Sequence, residues 1–520
     1  MSALLANSKD LVKIQISDRE SVSLQKRKKN KTSMEIDSVF LEIGESGWQQ
    51  IKYGAMLCLL KMYHPLHTLQ YTFVARQTGF QCHVGDGQSG VSVNSSCVEG
   101  IRASCASIEY TEDTIISEWD LVCDQNWWSK ATMSALMFGF LLGSLFLGML
   151  ADKIGRKRNM MMCFIGMLVF NTVSATTTEF SVYLLSRFVV GIFLAGNILS
   201  LMVLLTELVG PAYRGIYSLA LTLFFSSGIA LLSLLASHWP HSWRGLTHMV
   251  TLLGLPFLVL QWWMVESPRW LLSVNRTEEA EVVLRKIARG NGVTGKLDIT
   301  LRAPPGHKTS PGNIGDSVTM LFTSPRLLGV TLILCFCWFV VGGSYYGLTL
   351  AAGHMGTDVY TGTALSGLVE IPSVIFIYYA IECHGRRAGV VGFLTLSGLF
   401  CLGIRFMPSL TAVLALLGKL CIAGAFTVVY IISGEVFATS IRNSALGVVS
   451  AIARVGAIVA PFIVMLGETS PGLQFFIFGL FCVLGGLLGF GLPETRNKPL
   501  PESVREMLVD KEKKIETLHV

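Results

Sequence analysis

Two short motifs occur twice in this chain, at almost one interval. An acid, a glycine and a basic pair (Asp152, Gly155, Arg156, Lys157) follow one long apolar run. The same set (Glu382, Gly385, Arg386, Arg387) follows another at a shift of 230 (382 − 152, 385 − 155, 386 − 156). Glu207 with Arg214 is echoed by Glu435 with Arg442 at a shift of 228, with the same seven-residue gap. Independent motifs at nearly one offset indicate an internally duplicated protein, so the fold is expected to contain two similar halves.

The apolar runs decide where those halves reside. Only 15% of residues are charged and 51% are hydrophobic, and the mean hydropathy is +0.54. A soluble chain carries about a quarter charged residues. Many runs approach the roughly 20 residues that a helix needs to cross a hydrocarbon core. Twelve spans are read, at 51–75, 131–150, 159–178, 180–206, 216–237, 246–265, 327–349, 362–381, 388–406, 409–432, 444–467 and 472–492. The 51 glycines suit close helix packing in lipid. The expected fold is therefore an all-α integral membrane protein, with two pseudo-symmetric six-helix bundles. Residues 48–265 form the first bundle and 327–492 the second.

Basic residues set the orientation. Lys153, Arg156, Lys157, Arg158, Arg386 and Arg387 lie in short turns, and Arg269, Arg285, Lys286 and Arg289 in the 266–326 connection. Alternating spans place all of these, and both termini, on one side, which the positive-inside rule makes cytoplasmic. The formal charge of +6 is thus a topology signal rather than a nucleic-acid patch. Residues 1–47 form a polar tail with a basic run from Lys26 to Lys31. They show no cleavable signal, so the first span is expected to act as the signal anchor. Residues 493–520 form a second tail on the same side.

On the other side stands one large loop, 76–130. It holds Cys82, Cys97, Cys105 and Cys123, and the glycosylation acceptor Asn94-Ser-Ser96. Four cysteines in an oxidising compartment point to two disulfides in one of three connectivities, with free thiols the alternative. The remaining eight cysteines read as small apolar residues. In the 266–326 linker, Thr277–Arg289 has the spacing of an amphipathic helix. Ala280, Val283, Leu284 and Ile287 share one face, and Thr277 is the expected N-cap. The proline- and glycine-rich stretch 303–315 reads as a loose connector.

The turn at 148–157 resembles the loop signature of the major facilitator superfamily. Glu266-Ser-Pro-Arg-Trp-Leu271 and the stretch from Leu492 to Glu502 resemble segments of its sugar and organic-ion porters. More specific are Ser117-Glu-Trp-Asp-Leu-Val-Cys-Asp124, Tyr345-Tyr-Gly-Leu348, Val369-Glu-Ile-Pro372 and the stretch from Glu435 to Asn443. Together they resemble solute carrier family twenty-two, the organic cation, organic anion and carnitine transporters, over residues 40–505. The resemblance implies a multi-pass plasma-membrane carrier of small organic ions that works by alternating access. It also implies gating roles for Asp152, Arg156, Lys157, Glu382, Arg386 and Arg387 at the cytoplasmic turns. The pairs Glu207–Arg214 and Glu435–Arg442 are further latch candidates. The bland alternative is that the bases only set topology and the acids only solvate the turns.

Charges inside the membrane are costly and therefore carry a role or a partner. Arg454 lies 12 residues past Arg442 (454 − 442), roughly 18 Å deep at about 1.5 Å per residue. Glu370 lies at a similar depth before Glu382, and Lys61 near that level in the first span. Three ionisable groups near the midplane mark the expected substrate site. Cation-selective relatives carry an aspartate at the position aligned with Arg454, whereas anion and carnitine carriers have an arginine. An arginine fork suits a carboxylate, and Glu370 could hold an ammonium. A zwitterionic or carboxylate-bearing solute, carnitine-like or derived from an amino acid, is expected. If Glu370 and Arg454 instead pair with each other, an organic cation is the alternative.

Trp338 and Tyr345, two helical turns apart, and the adjacent Tyr346 are carried over as aromatic ligands, with helix packing as the competing account. Lys61, His64, His67 and Gln70 form a polar stripe that either lines the pathway or sits at the outer mouth. No phosphate-binding loop, metal-ligand cluster or nucleophile–base pair is apparent, so neither an enzyme nor a cofactor is expected. A sodium or proton coupling ion cannot be read from the chain. A receptor that binds solute without moving it is the reading from another functional class.

Overall fold

The computed structural model describes residues 36–76, 80–83, 107–238, 242–293, 325–351, 358–437 and 442–496. Among the described residues twelve helical spans run in order. The first six are Trp48–Thr68, Asn126–Ile154, Arg156–Thr176, Phe180–Leu208, Arg214–His238 and Trp243–Trp263. Span 7 is Pro325–Leu350, and span 8 is split into Val359–Leu368 and Glu370–Cys383. Spans 9 to 12 are Arg386–Gly403, Thr411–Val436, Arg442–Thr469 and Leu473–Gly489. Among the described residues nine helices are long and apolar enough to cross a bilayer. Span 1 with its polar stripe, span 9 with 18 residues and span 12 with 17 complete the set.

The duplication is visible in the packing. In the first half span 2 packs on 4, 3 on 4, 1 on 5, and 3 on 6; in the second 8 packs on 10, 9 on 10, 7 on 11, and 9 on 12. Glycines allow the closest of these approaches. A Cβ on Gly456 would stand 2.2 Å from the Phe339 carbonyl oxygen, so the backbones of spans 7 and 11 meet beside Arg454. The split in span 8 has a local cause: Pro372 has no N–H for the carbonyl of Leu368, which frees the turn where Glu370 sits.

The halves meet along two seams, span 2 against 11 and span 5 against 8. Apart from the Ser226–Glu370 bond deeper in the span 5–span 8 seam, the polar contacts between the halves lie toward the side that bears the 76–125 connection, hereafter the loop side. Ser134 Oγ donates to the Ile458 carbonyl (2.7 Å) and Ser233 Oγ to that of Tyr360 (2.5 Å). Arg76 donates to the Tyr360 hydroxyl (2.6 Å), and Phe73 stacks on the Tyr360 ring. On the opposite, linker side no ion pair joins the halves among the described residues. A Cβ on Gly215 or Gly447, low in spans 5 and 11, would meet nothing within 4 Å. Among the described residues the halves are bonded to each other on the loop side, and no ion pair or hydrogen bond joins them on the linker side.

Several boundaries differ from expectation. Span 2 begins at Asn126 rather than 131, because Trp127 and Trp128 are accommodated at the helix start. The tail contains a helix, Ile36–Ile43, whose Val39, Phe40 and Ile43 are buried. The linker helix forms as Thr277–Gly290 with Ala280, Leu284 and Ile287 buried. Its cap position is Arg276, which makes no side-chain cap, so Thr277 is the first helical residue rather than the N-cap. In the loop, strand β1 (Phe80–His83) pairs antiparallel with β2 (Ser107–Tyr110). Cys123 is disulfide-bonded, and the eight cysteines outside the loop are free. The side chain of Cys82, together with Cys97, Cys105, Asn94, Lys26–Lys31 and 303–315, lies outside the described residues.

Candidate functional site

Each half carries a carboxylate cluster at its first linker-side turn. Gly155 (φ +102°) and Gly385 (φ +92°) reverse the chain in a conformation that side chains with a Cβ rarely adopt. The helix that follows each turn starts with exposed N–H groups, and a glutamate from the end of the same half accepts them. Glu266 Oε1 takes the N–H of Arg156 (2.9 Å) and of Lys157 (3.1 Å). Glu494 takes those of Arg386 (2.9 Å) and Arg387 (3.0 Å). Burial opposes ionisation of Glu494, but backbone N–H groups from Arg496, Arg386, Arg387 and Thr495 hold its carboxyl below the usual range. These two glutamates are themselves an echo at 228 (494 − 266), the interval that separates Glu207 from Glu435.

Arg156 then bonds Asp152 (2.9 Å) and Glu207 (3.1 Å), while Arg386 faces Glu435 (3.4 Å) and Glu382 (3.8 Å). The expected Glu207–Arg214 latch is not formed. Glu207 is taken by Arg156, and Arg214 reaches Asp37 of the tail helix (3.3 Å), which Arg269 also grips. Glu435 pairs with Arg386 and accepts from Thr495 Oγ1 (2.5 Å); the expected Glu435–Arg442 pair is not tested, because the Arg442 side chain lies outside the described residues. Sequence spacing had paired residues along one loop, whereas the fold pairs them across helices of one bundle.

At the midplane the three expected charges separate into two environments. Glu370 is buried (2% exposed) and paired within the protein. Its Oε1 lies 3.0 Å from Lys419 Nζ, and its Oε2 accepts from Ser226 Oγ of the other half (2.6 Å). Glu370 does not pair with Arg454, and its carboxylate is not open to an ammonium as expected. Lys419 also donates to Thr349 Oγ1 (2.5 Å) and the Tyr345 carbonyl (3.2 Å), and sits 3.3 Å from the Tyr345 ring centroid. Sequence reasoning missed Lys419, although it is the one charge within the tenth apolar run and the rule that selected Glu370 applies to it equally.

Arg454 has the opposite character. It is half-buried, donates to the Tyr346 hydroxyl (3.3 Å), and stacks over Phe140 of span 2 (4.1 Å to the ring centroid). Lys61 rests over Phe225 of span 5 (5.1 Å) and is near enough to Arg454 for their charges to repel. Among the described residues no carboxylate lies within ion-pair distance of either cation. A guanidinium and an ammonium therefore lie near each other, each backed by an aromatic ring that sequence reasoning did not select.

Trp338 turns out to be a packing residue. It is 2% exposed, donates to Ser433 Oγ (3.0 Å), and meets Phe426 and Tyr430 edge-on. The rest of the first-span stripe neither lines the pathway nor reaches the mouth. His64 Nε2 lies 2.8 Å from Asn197 Oδ1, the His67 ring packs on Tyr63, and Gln70 donates to Thr247 (2.7 Å). All three are buried among spans 1, 4 and 6 of the first half.

The family model "Sugar (and other) transporter" matches residues 73–507. A Xenopus laevis protein described as "Solute carrier family 22 member 15-like" is 34% identical over 482 residues, covering 91% of this chain and 96% of that one. The "Organic cation transporter protein" of Drosophila melanogaster is 32% identical over 518 residues, covering 91% and 94%. Among solved structures, the proton:xylose symporter XylE bound to 6-bromo-6-deoxy-D-glucose superposes with a TM-score of 0.57. It is 20% identical and covers 87% of this chain and 98% of that one, a likeness of fold.

Proposed function

Because the chain belongs to solute carrier family 22 of the major facilitator superfamily, we propose that it is a plasma-membrane carrier whose preferred cargo is a small organic solute bearing a carboxylate. The observation that carries this reading is the division of charge at the midplane. Glu370 is neutralised by Lys419 and held by Ser226, whereas Arg454 and Lys61 have no carboxylate partner among the described residues. A carboxylate entering between them relieves their repulsion and takes two parallel hydrogen bonds from the guanidinium. Phe140, Phe225 and Tyr346 offer ring faces and a hydroxyl to the organic body. A zwitterion binds by the same carboxylate, with its ammonium on an aromatic face rather than on Glu370.

The seams support alternating access. Arg454 belongs to the second half and its Phe140 platform to the first, so a solute that draws the guanidinium alters a contact between halves. In this reading the linker side is cytoplasmic. The Asp152–Arg156–Glu207 and Glu382–Arg386–Glu435 clusters brace the turns that move when that side closes.

Uptake of a zwitterion, a dicarboxylate and a permanent cation, each by the parent and by Arg454→Asp, tests the assignment. Carboxylate-bearing solutes are expected to be lost first and the permanent cation retained or gained. Unchanged carboxylate uptake in the variant sinks it. Counterflow in vesicles separates a carrier from a receptor, since a receptor binds without exchange.

A further inference from the structure

We infer that Lys130 and Glu468 form the outer latch of the transport cycle, a gating pair that holds the loop side shut while the linker side is open. Glu468 is at the loop-side end of span 11, in the second half. Its Oε1 lies 2.6 Å from Lys130 Nζ, and its Oε2 accepts from Asn126 Nδ2 (2.5 Å), both at the start of span 2 in the first half. The two charged side chains are 7% and 12% exposed. Among the described residues this is the one ion pair that joins the two halves.

Its position separates it from the cargo. Glu468 stands 14 residues beyond Arg454 (468 − 454), or about 21 Å along the helix, so it acts on access rather than on binding. Ser134, one turn deeper on span 2, extends the same seam through its bond to the Ile458 carbonyl. A buried ion pair gains little over two solvated ions, because desolvation offsets much of the attraction, but stranding one member is costly. That asymmetry suits a latch. With the seam open, water solvates both groups and the closed state is only modestly favoured. With one charge removed, the closed state alone contains an unpaired buried ion and the population moves outward-open. The inference rests on the carrier reading but needs no cargo for its test, so a wrong substrate class leaves it standing.

Full-length protein carrying Ser134→Cys, in sealed vesicles, reports the seam through a membrane-impermeant maleimide added on the loop side. Labelling is expected to be slow in the otherwise unaltered protein and on the order of tenfold faster with Glu468→Gln or Lys130→Gln, each stranding one buried charge. Exchanging the charges (Lys130→Glu with Glu468→Lys) is expected to restore slow labelling. Equal rates in all four proteins would overturn the latch, and so would failure of the exchange to slow labelling. Acceleration accompanied by labelling of Cys163, buried within the first half, would mean unfolding and count against it.

Discussion

Neutralising the Glu370–Lys419 pair one member at a time, then both at once, measures how the midplane is wired. Lys419→Met leaves the buried Glu370 carboxyl without its cation, with Ser226 as its hydrogen-bond donor. A stranded buried charge costs about 3–5 kcal/mol. Glu370→Gln leaves Lys419 better provided, with Thr349, the Tyr345 carbonyl and the Tyr345 ring. The ring alone contributes about 0.5–2 kcal/mol to a desolvated ammonium. The first substitution should therefore be the worse by about 1–2 kcal/mol, from the difference between these two sets of partners. The double variant contains no unpaired charge and should lie near the parent, giving a coupling against additivity equal to the sum of the two single losses, about 4–9 kcal/mol. Thermal unfolding of the four purified proteins in detergent gives the order, and uptake gives the consequence. The double variant should keep carboxylate transport, because Arg454 and Lys61 are untouched. Additive losses would show that the pair does not form. Loss of carboxylate uptake in a stable double variant would place Glu370 back among the cargo ligands.

The duplicated turns yield further expectations. Glu266→Ala removes the acceptor for two helix-start N–H groups and should destabilise the first bundle by about 1–2 kcal/mol, read as a lower melting temperature with reduced uptake. Gly155→Ala should be more damaging still. It forces a Cβ into a positive-φ turn and to 2.4 Å from Glu266 Oε2, so surface expression should fall sharply, while Gly292→Ala, with positive φ but open space, should be mild by comparison. Glu494 supplies a pH test. Its carboxyl is held below the ordinary value of 4.5, so its contribution is present above that value and is lost as pH falls through the depressed one. The stability gap between the parent and Glu494→Gln should be flat at neutral pH and close only in acid. A gap that closes near neutrality would contradict the capping role.

How much could be read beforehand depended on the range of the interaction. Repeats, apolar runs and basic turns are properties of contiguous residues, and they placed the two bundles, the linker helix and the depth of Arg454, Glu370 and Lys61. Pairing was different. Glu207 was matched with Arg214 because they are neighbours in one loop, but Arg156 arrives from another helix and takes the carboxylate. The position of Trp338 on span 7 is compatible with either a ligand or a packing residue, and span 10 decides for packing by presenting Ser433, Phe426 and Tyr430 to it.

The amino-acid sequence by itself determined that this is a duplicated helical membrane protein with a few charges near the midplane, since bilayer thickness and helical rise convert residue counts directly into depth. Only the tertiary structure decided which of those charges are paired within the protein. Lys419 and Ser226 reach Glu370 from spans 10 and 5, and Lys130 reaches Glu468 across the seam. Electrostatic partnership in a medium without water depends on a few ångströms of separation, and chain spacing does not encode distances between helices.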